Sequence, residues 1–304
     1  VYAVETEQLT KYYGKNRGII DVNMSVMDGE IFGFIGPNGA GKTTTIRLLL
    51  GLIKPNSGEA KLFGKKLPPA GGKFYRRMGY LPAEVNYYPE MTGRDLLDYA
   101  AGFYKASDYQ WVQELVERLQ FDPDRKFRAY SHGNRKKLGI IQALLHKPLL
   151  LILDEPGSGL DPLIRQELFK ILQELNQLGT TIFFSTHILE EVERICHRVA
   201  LIKEGKLIYI GPLNELPGRE MRTITLKIAD RQYSNGALEK LGETQELPSR
   251  PGYYVVHSRL PVNELVAYLS RFDLEYLRIN DPSLEEIFLD LYGTTTGGGK
   301  NEHV

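Results

Sequence analysis

Residues 31–43 read Ile31-Phe-Gly-Phe-Ile35-Gly36-Pro37-Asn38-Gly39-Ala40-Gly41-Lys42-Thr43. The stretch opens as a short unbroken apolar run, the pattern of a strand buried on both faces of a parallel sheet. It then matches G-x-x-x-x-G-K-[ST] at every fixed position, and Thr44 to Gly51 continues it as a helix-forming segment. Glycines let the backbone turn tightly enough for successive N–H groups to face phosphate oxygens. The helix N-terminus adds positive partial charge at the same place. Lys42 would reach the β- and γ-phosphates of a bound nucleotide, and the Thr43 hydroxyl would coordinate Mg²⁺. Gly36, Pro37, Asn38, Gly39, Ala40, Gly41, Lys42, Thr43 and Thr44 are therefore candidate nucleotide-binding residues. A glycine-rich turn with a solvated lysine would not need a strand before it and a helix after it.

A second apolar run, Leu149 to Leu153, ends in Asp154-Glu155-Pro156. Ligands of open α/β sheets sit beyond the carboxyl ends of the strands. Asp154 is thereby a candidate Mg²⁺ ligand beside Thr43, since hard cations take oxygen donors. Glu155 would face the γ-phosphate and polarise the attacking water. Thr180 to Ser185 and Arg198 to Ile202 are further apolar strands, and Glu204-Gly205 reads as a hairpin turn. Leu138, Ile141 and Leu145 recur at helical spacing. Pro162 to Leu178 is an amphipathic helix with Asp161 as N-cap and proline at its first position.

These patterns predict an α/β fold with antiparallel additions at both ends and a helical subdomain over 84–147. After Gly211-Pro212 and Pro217-Gly218 the character changes. Short strands (Thr223 to Ile228, Tyr253 to His257, Leu274 to Ile279) alternate with short helices, the last opened by a Ser283/Glu286 capping box. The expected domains are 1–218, a small α+β domain over 219–292 for which a ferredoxin-like arrangement is one option, and a glycine-rich tail, 293–304, expected to be disordered.

The bulk properties exclude several classes. In 304 residues, 38 basic and 38 acidic side chains cancel, so no global basic field draws the chain to nucleic acid. Cys196 is the lone cysteine, so no internal disulfide forms, and no Cys/His cluster suggests zinc. The first residues carry an early glutamate and no apolar core, unlike a signal peptide. The greasiest stretch, Leu144 to Leu153, is interrupted by His146, Lys147 and Pro148 and is too short to span a bilayer.

A third element decides the class. Ser131-His132-Gly133-Asn134 opens a helix shortly before the acidic strand, and its Ser and Gly match the Leu-Ser-Gly-Gly-Gln signature of the ABC ATPases. The order of motifs resembles that family over roughly residues 3–215. Tyr13 resembles the aromatic that stacks on adenine, Ser158-Gly-Leu-Asp161 the D-loop, and His187 the switch histidine that contacts the γ-phosphate. The resemblance implies a P-loop NTPase core of ABC ATPase type with antiparallel and helical subdomains. It also implies ATP and Mg²⁺ as cofactors, and a head-to-tail dimer in which each ATP lies between one phosphate loop and the other subunit's Ser131 and Gly133. The second ATPase subunit would be an identical copy or a homologue, and a transmembrane permease subunit would do the crossing. The chain would then sit peripherally at the cytoplasmic face of the cell membrane. Asp281-Pro-Ser-Leu-Glu-Glu-Ile-Phe-Leu-Asp-Leu-Tyr292 looks like the ending of exporter-type subunits related to multidrug and antibiotic-resistance transporters.

The sequence departs from the family at Ala83 and at three signature positions, Tyr130, His132 and Asn134. Ala83 stands where a glutamine usually touches Mg²⁺ and water, and His132 where glycine is usual. A regulatory subunit with weak or no hydrolysis, and an importer ATPase, therefore stay open as alternatives. Tyr87-Tyr88-Pro89 lies where the family receives its membrane partner, with packing inside the subdomain as the other reading. Arg135-Lys136-Lys137 reads as a solvated helix face. His146, His197 and His257 read as ordinary structural or surface residues.

Overall fold

In the computed structural model, residues 1–68, 74–104, 109–229 and 234–293 are described. The chain begins with two long strands, β1 (Tyr2–Tyr13) and β2 (Asn16–Met27), then β3 (Ile31–Ile35), α1 (Lys42–Leu49), β4 (Ser57–Leu62), β5 (Lys65–Lys66) and β6 (Met78–Leu81). Three helices follow, α2 (Gly93–Ala101), α3 (Tyr109–Arg118) and α4 (His132–Leu144). Next come β7 (Leu150–Asp154), α5 (Pro162–Gln177), β8 (Thr181–Thr186), α6 (Leu189–Ile195), β9 (Arg198–Lys203) and β10 (Lys206–Pro212). The C-terminal elements are β11 (Arg222–Ile228), α7 (Ser234–Leu238), β12 (Glu243–Glu246), β13 (Tyr253–Ser258), α8 (Val262–Leu269), β14 (Leu274–Asn280) and α9 (Leu284–Gly293). The chain divides into two compact units after Leu213.

The first unit holds two sheets. One is antiparallel, in the order β2-β1-β4-β5; the other runs β10-β9-β3-β8-β7-β6. From β9 to β6 every neighbour in the second sheet is parallel, and β10 closes it as an antiparallel edge. The apolar runs 31–35, 150–153 and 181–184 are buried throughout, as a sheet covered on both faces requires. Phe183 packs between Phe32 and Phe34, with ring centroids 5.9 and 5.4 Å away. Glu204 and Gly205 both take positive φ, 50° and 75°, the geometry of a two-residue hairpin turn between β9 and β10. Helix α4 lies close against β6: a Cβ on Gly79 would come within 2.2 Å of the Ala143 carbonyl oxygen.

The second unit is a β-α-β-β-α-β arrangement. Its sheet has the order β12-β13-β11-β14, with every neighbouring pair antiparallel. That is the ferredoxin-like option, a split β-α-β pattern. Ile224, Leu226, Val256, Leu265 and Leu269 form its core. The Ser283/Glu286 box forms as read: the Ser283 N–H donates to Glu286 Oε2 at 2.9 Å, and the Glu286 N–H donates to Ser283 Oγ at 3.2 Å. The expected tail lies, from residue 294 on, outside the described residues. No helix among the described residues is long and apolar enough to cross a membrane.

Candidate functional site

The loop between β3 and α1 must fold back on itself, and its glycines make that feasible. Gly39 and Gly41 take φ of 78° and 115°, left-handed values that side chains resist, and a Cβ on Gly36 would strike the Ile202 carbonyl oxygen at 2.5 Å. The helix begins at Lys42, two residues before the expected Thr44, with Gly41 as its left-handed N-cap. Lys42, 6% exposed, donates to the carbonyls of Gly36 (2.6 Å) and Pro37 (3.3 Å). A pocket of about 270 Å³ lies over this loop, lined by Arg17, Gly18, Pro37, Asn38, Gly39, Gly41, Lys42, Thr43, Thr44, Ala83 and Glu155.

Strand β7 ends at Asp154, which reaches the loop through Thr43, and Glu155 just beyond it lines the pocket. Asp154 is fully buried. It accepts a hydrogen bond from Thr43 Oγ1 on Oδ2 at 2.8 Å and one from Ser185 Oγ on Oδ1 at 2.6 Å. Thr43 and Asp154 thus place two hard oxygen donors side by side beneath the phosphate loop, a donor set that suits Mg²⁺ completed by phosphate and water. Glu155 takes φ of 51°, a costly value for a residue with a side chain. Its N–H donates to the Ser185 carbonyl at 3.0 Å. Its carboxylate lies 3.1 Å from Lys42 Nζ on one side and 2.7 Å from His187 Nδ1 on the other. A carboxylate only accepts, so the His187 proton on that bond resides on Nδ1.

Tyr13 ends β1 half-open to solvent, with the Lys11 ammonium 5.7 Å from its ring centre. Gly18 brings it near the loop: a Cβ there would lie 3.2 Å from both the Tyr13 ring and the Thr44 methyl. Ser131 caps α4, accepting from the Asn134 N–H at 3.4 Å, and is exposed. Gly133 lies against the Gly159 carbonyl, where a Cβ would come within 2.9 Å. Asp161 caps α5, accepting from the Ile164 N–H at 3.0 Å. Ser131, Gly133 and Asp161 do not line the phosphate-loop pocket.

The family model for ABC transporters matches residues 19–158. The bacitracin transport ATP-binding protein of Bacillus licheniformis is 35% identical, the match covering 97% of this chain and 99% of that protein. The Nod factor export ATP-binding protein I of Paraburkholderia xenovorans is 34% identical, over 96% of this chain and 97% of that one. The chain belongs to the ABC transporter ATP-binding subunits. Solved structures agree with this fold. An ATP-binding subunit of an ABC transporter superposes with a TM-score of 0.66 at 31% identity, covering 70% of this chain and 91% of that one. A dimeric ATP-binding cassette bound to ADP and Pi matches in fold with a TM-score of 0.63 at 22% identity, covering 69% of this chain and 98% of its own. The chain is thus an ATP-binding ABC ATPase.

Within this ABC subunit several residues carry more than their sequence context showed. Lys136 is not on a solvated face, as its run of three basic residues suggested: it is 1% exposed. Its ammonium donates to the carbonyls of Pro82 (3.2 Å), Ala83 (3.1 Å) and Asp154 (3.1 Å). Burial pushes it down to about 8, against the upward pull of Asp154, Glu155 and Glu191. Glu191, 3% exposed, accepts from Thr186 Oγ1 at 2.6 Å and so braces the strand end that carries His187. Burial raises its carboxyl above the usual range, with the Thr186 bond and Arg165 opposing. Ser185 faces Asp154 because β7 and β8 are parallel neighbours in that register. Nothing in the local sequence signals that pairing. The His132 ring lies against Gly159 of its own chain: a Cβ on Gly159 would meet its Cδ2 at 2.3 Å. Tyr87 hydrogen-bonds Gln142 and packs edge-on against Phe127 at 5.5 Å, while Tyr88 is 67% exposed. The adjacent Tyr residues thus divide between inward packing and solvent. Ala83 lines the pocket, whereas the neighbouring Glu84 is exposed and does not.

Proposed function

We propose that this chain hydrolyses Mg-ATP at the phosphate-loop pocket and thereby powers export through a separate transmembrane subunit. The observation that carries the chemistry is Glu155, held between Lys42 and His187 at 3.1 and 2.7 Å, one residue beyond the buried Asp154. Backbone N–H groups of the loop and the α1 N-terminus bind the phosphate chain, and Tyr13 carries the adenine. Thr43 and Asp154 hold Mg²⁺, which when bound neutralises charge on the β- and γ-phosphates. Glu155 orients and polarises the attacking water. On binding, Lys42 exchanges its carbonyl and carboxylate partners for phosphate oxygens. His187 keeps its Nδ1 bond to Glu155, and donation from Nε2 to the γ-phosphate as well requires the imidazolium form, in which both nitrogens carry a proton.

Two ATPase subunits close on ATP, each supplying Ser131 and Gly133 to the other's nucleotide. A surface groove of about 570 Å³ supports the membrane partner. It is larger than the phosphate pocket and lies away from its chemistry, between the end of α1, β6 and α2. Leu52, Tyr99 and Phe103, each more than half exposed, line it. Exposed aromatic and aliphatic groups suit a protein interface. The relatives' names, transport of bacitracin and export of Nod factor, support export as the direction.

The test is steady-state hydrolysis by the full chain beside Glu155→Gln. The variant is expected to bind ATP normally while its turnover falls at least about a hundredfold, the scale of losing a group that acts at the reacting centre. Equal turnover by the two proteins would remove Glu155 from the mechanism. Binding without hydrolysis by the wild type, even beside its membrane partner, would favour the regulatory alternative that Ala83 keeps open.

A further inference from the structure

We propose that Lys136 is a positioning residue for hydrolysis: its buried ammonium joins the signature helix and the Ala83 segment to the end of β7, and so fixes the peptide that aims Glu155. An ammonium has three donors and no acceptor. Here three carbonyls accept from it, at 3.2, 3.1 and 3.1 Å, on Pro82, Ala83 and Asp154. All three partners are backbone atoms. Lys136 therefore measures where the main chain runs and does not depend on which side chains stand there.

The Asp154 contact reaches furthest. The Asp154 carbonyl and the Glu155 N–H belong to one planar peptide group. Lys136 holds its oxygen at 3.1 Å, and the Ser185 carbonyl holds its N–H at 3.0 Å. That peptide leads into Glu155 with φ of 51°, a conformation that persists only when its surroundings enforce it. With one of the two anchors gone, the peptide is free to relax, and the carboxylate leaves its place between Lys42 and His187. The same ammonium answers the departure at position 83. An alanine methyl cannot report on the nucleotide, but the Ala83 carbonyl is tied through Lys136 to the strand end that bears both acids. The link between helical subdomain and active site runs through the main chain.

The proposal rests on Glu155 as the hydrolytic carboxylate. It is tested on the full chain with Lys136→Met, which keeps the length and loses the donors, and Lys136→Gln, which keeps two donors without the charge. KM and kcat for Mg-ATP, equilibrium binding of a fluorescent ATP analogue and thermal melting are measured for each. The phosphate loop is untouched, so KM and nucleotide affinity are expected within about twofold of wild type, while kcat of Lys136→Met falls at least about tenfold and Lys136→Gln lies between. A kcat per bound nucleotide equal to wild type overturns the proposal, whatever the melting temperature. So does a loss confined to KM. If Lys136→Met does not fold, Lys136→Gln decides on the same criteria, and failure of both to fold assigns Lys136 to stability alone. Glu155→Gln in the same assay separates the two proposals. Its full activity would sink the role of Glu155, whereas full activity of Lys136→Met with an inactive Glu155→Gln sinks only the role of Lys136.

Discussion

Ser185 carries no charge and stands one residue before the end of β8, yet its hydroxyl donates to Asp154 Oδ1 at 2.6 Å with both residues fully buried. With Thr43 on Oδ2, it leaves Asp154 one fixed orientation. Truncating it strips a buried carboxylate of a donor, a change that costs about 1–3 kcal/mol where nothing replaces it. Ser185→Ala is expected to melt lower than wild type and to need more Mg²⁺ for half-maximal hydrolysis, because a carboxylate free to rotate binds the ion less well. A Mg²⁺ titration and a melting curve check this, and superimposable curves for the two proteins would refute it. Ser185 also marks a limit of reading sequence. Lys42, Thr43 and Asp154 are legible because their role is fixed by neighbours a few positions away. Ser185 gains its role from strand order, and Lys136 from partners 54, 53 and 18 positions away. A one-dimensional pattern shows only a basic run.

At the scale of elements, helix α4 and strand β6 meet through more than apolar packing. His146, just past α4, lies 3.1 Å through Nε2 from the Met78 carbonyl and stacks on Tyr104 at 3.8 Å. Since a carbonyl only accepts, Nε2 bears the proton, and Nδ1 is buried without a hydrogen-bond partner. Charging the ring would place an N–H where no acceptor waits, so burial pushes its pKa down to about 4 from the usual 6.5. The sign follows from proton binding. Above pH 6.5 the ring is neutral folded and unfolded, and the contact contributes fully. Between 6.5 and about 4 only the unfolded chain takes the proton, so stability falls with pH; below 4 the loss levels off. Melting temperatures across this window are expected to fall more steeply for wild type than for His146→Gln, whose amide still donates to Met78 but does not titrate. Parallel slopes would refute it. The elements themselves were largely legible: the strands at 31–35 and 150–153, the proline-opened helix α5 and the β9–β10 turn all follow from local chemistry. The expected start of α1 was late because left-handed Gly41 caps the helix, and glycine at a cap leaves no polar side chain to announce it.

For the whole molecule, the decisive fact is what the phosphate pocket lacks. Its lining includes the loop, Glu155 and Ala83, but neither Ser131 nor Gly133. The α4 N-terminus nevertheless presents an exposed serine and the positive end of a thirteen-residue helix, a good seat for an anion. A nucleotide bound to one copy's loop would fill that seat on another copy, and hydrolysis would then need two chains. Specific activity of the purified protein is therefore expected to rise with its concentration and to level off once the dimer saturates. Glu155→Gln should accumulate as an ATP-dependent dimer by size-exclusion chromatography, because closure proceeds while release stalls. Ser131→Arg should abolish both effects yet bind ATP as a monomer, since the loop that holds the phosphates is unaltered. Constant specific activity across the concentration range, with no ATP-dependent change in size for Glu155→Gln, would mean that each chain completes its own site or needs a different subunit. A homologue mixed with this chain would then restore the concentration dependence only if the partner is heteromeric, because the missing signature surface must come from whichever subunit faces this phosphate loop.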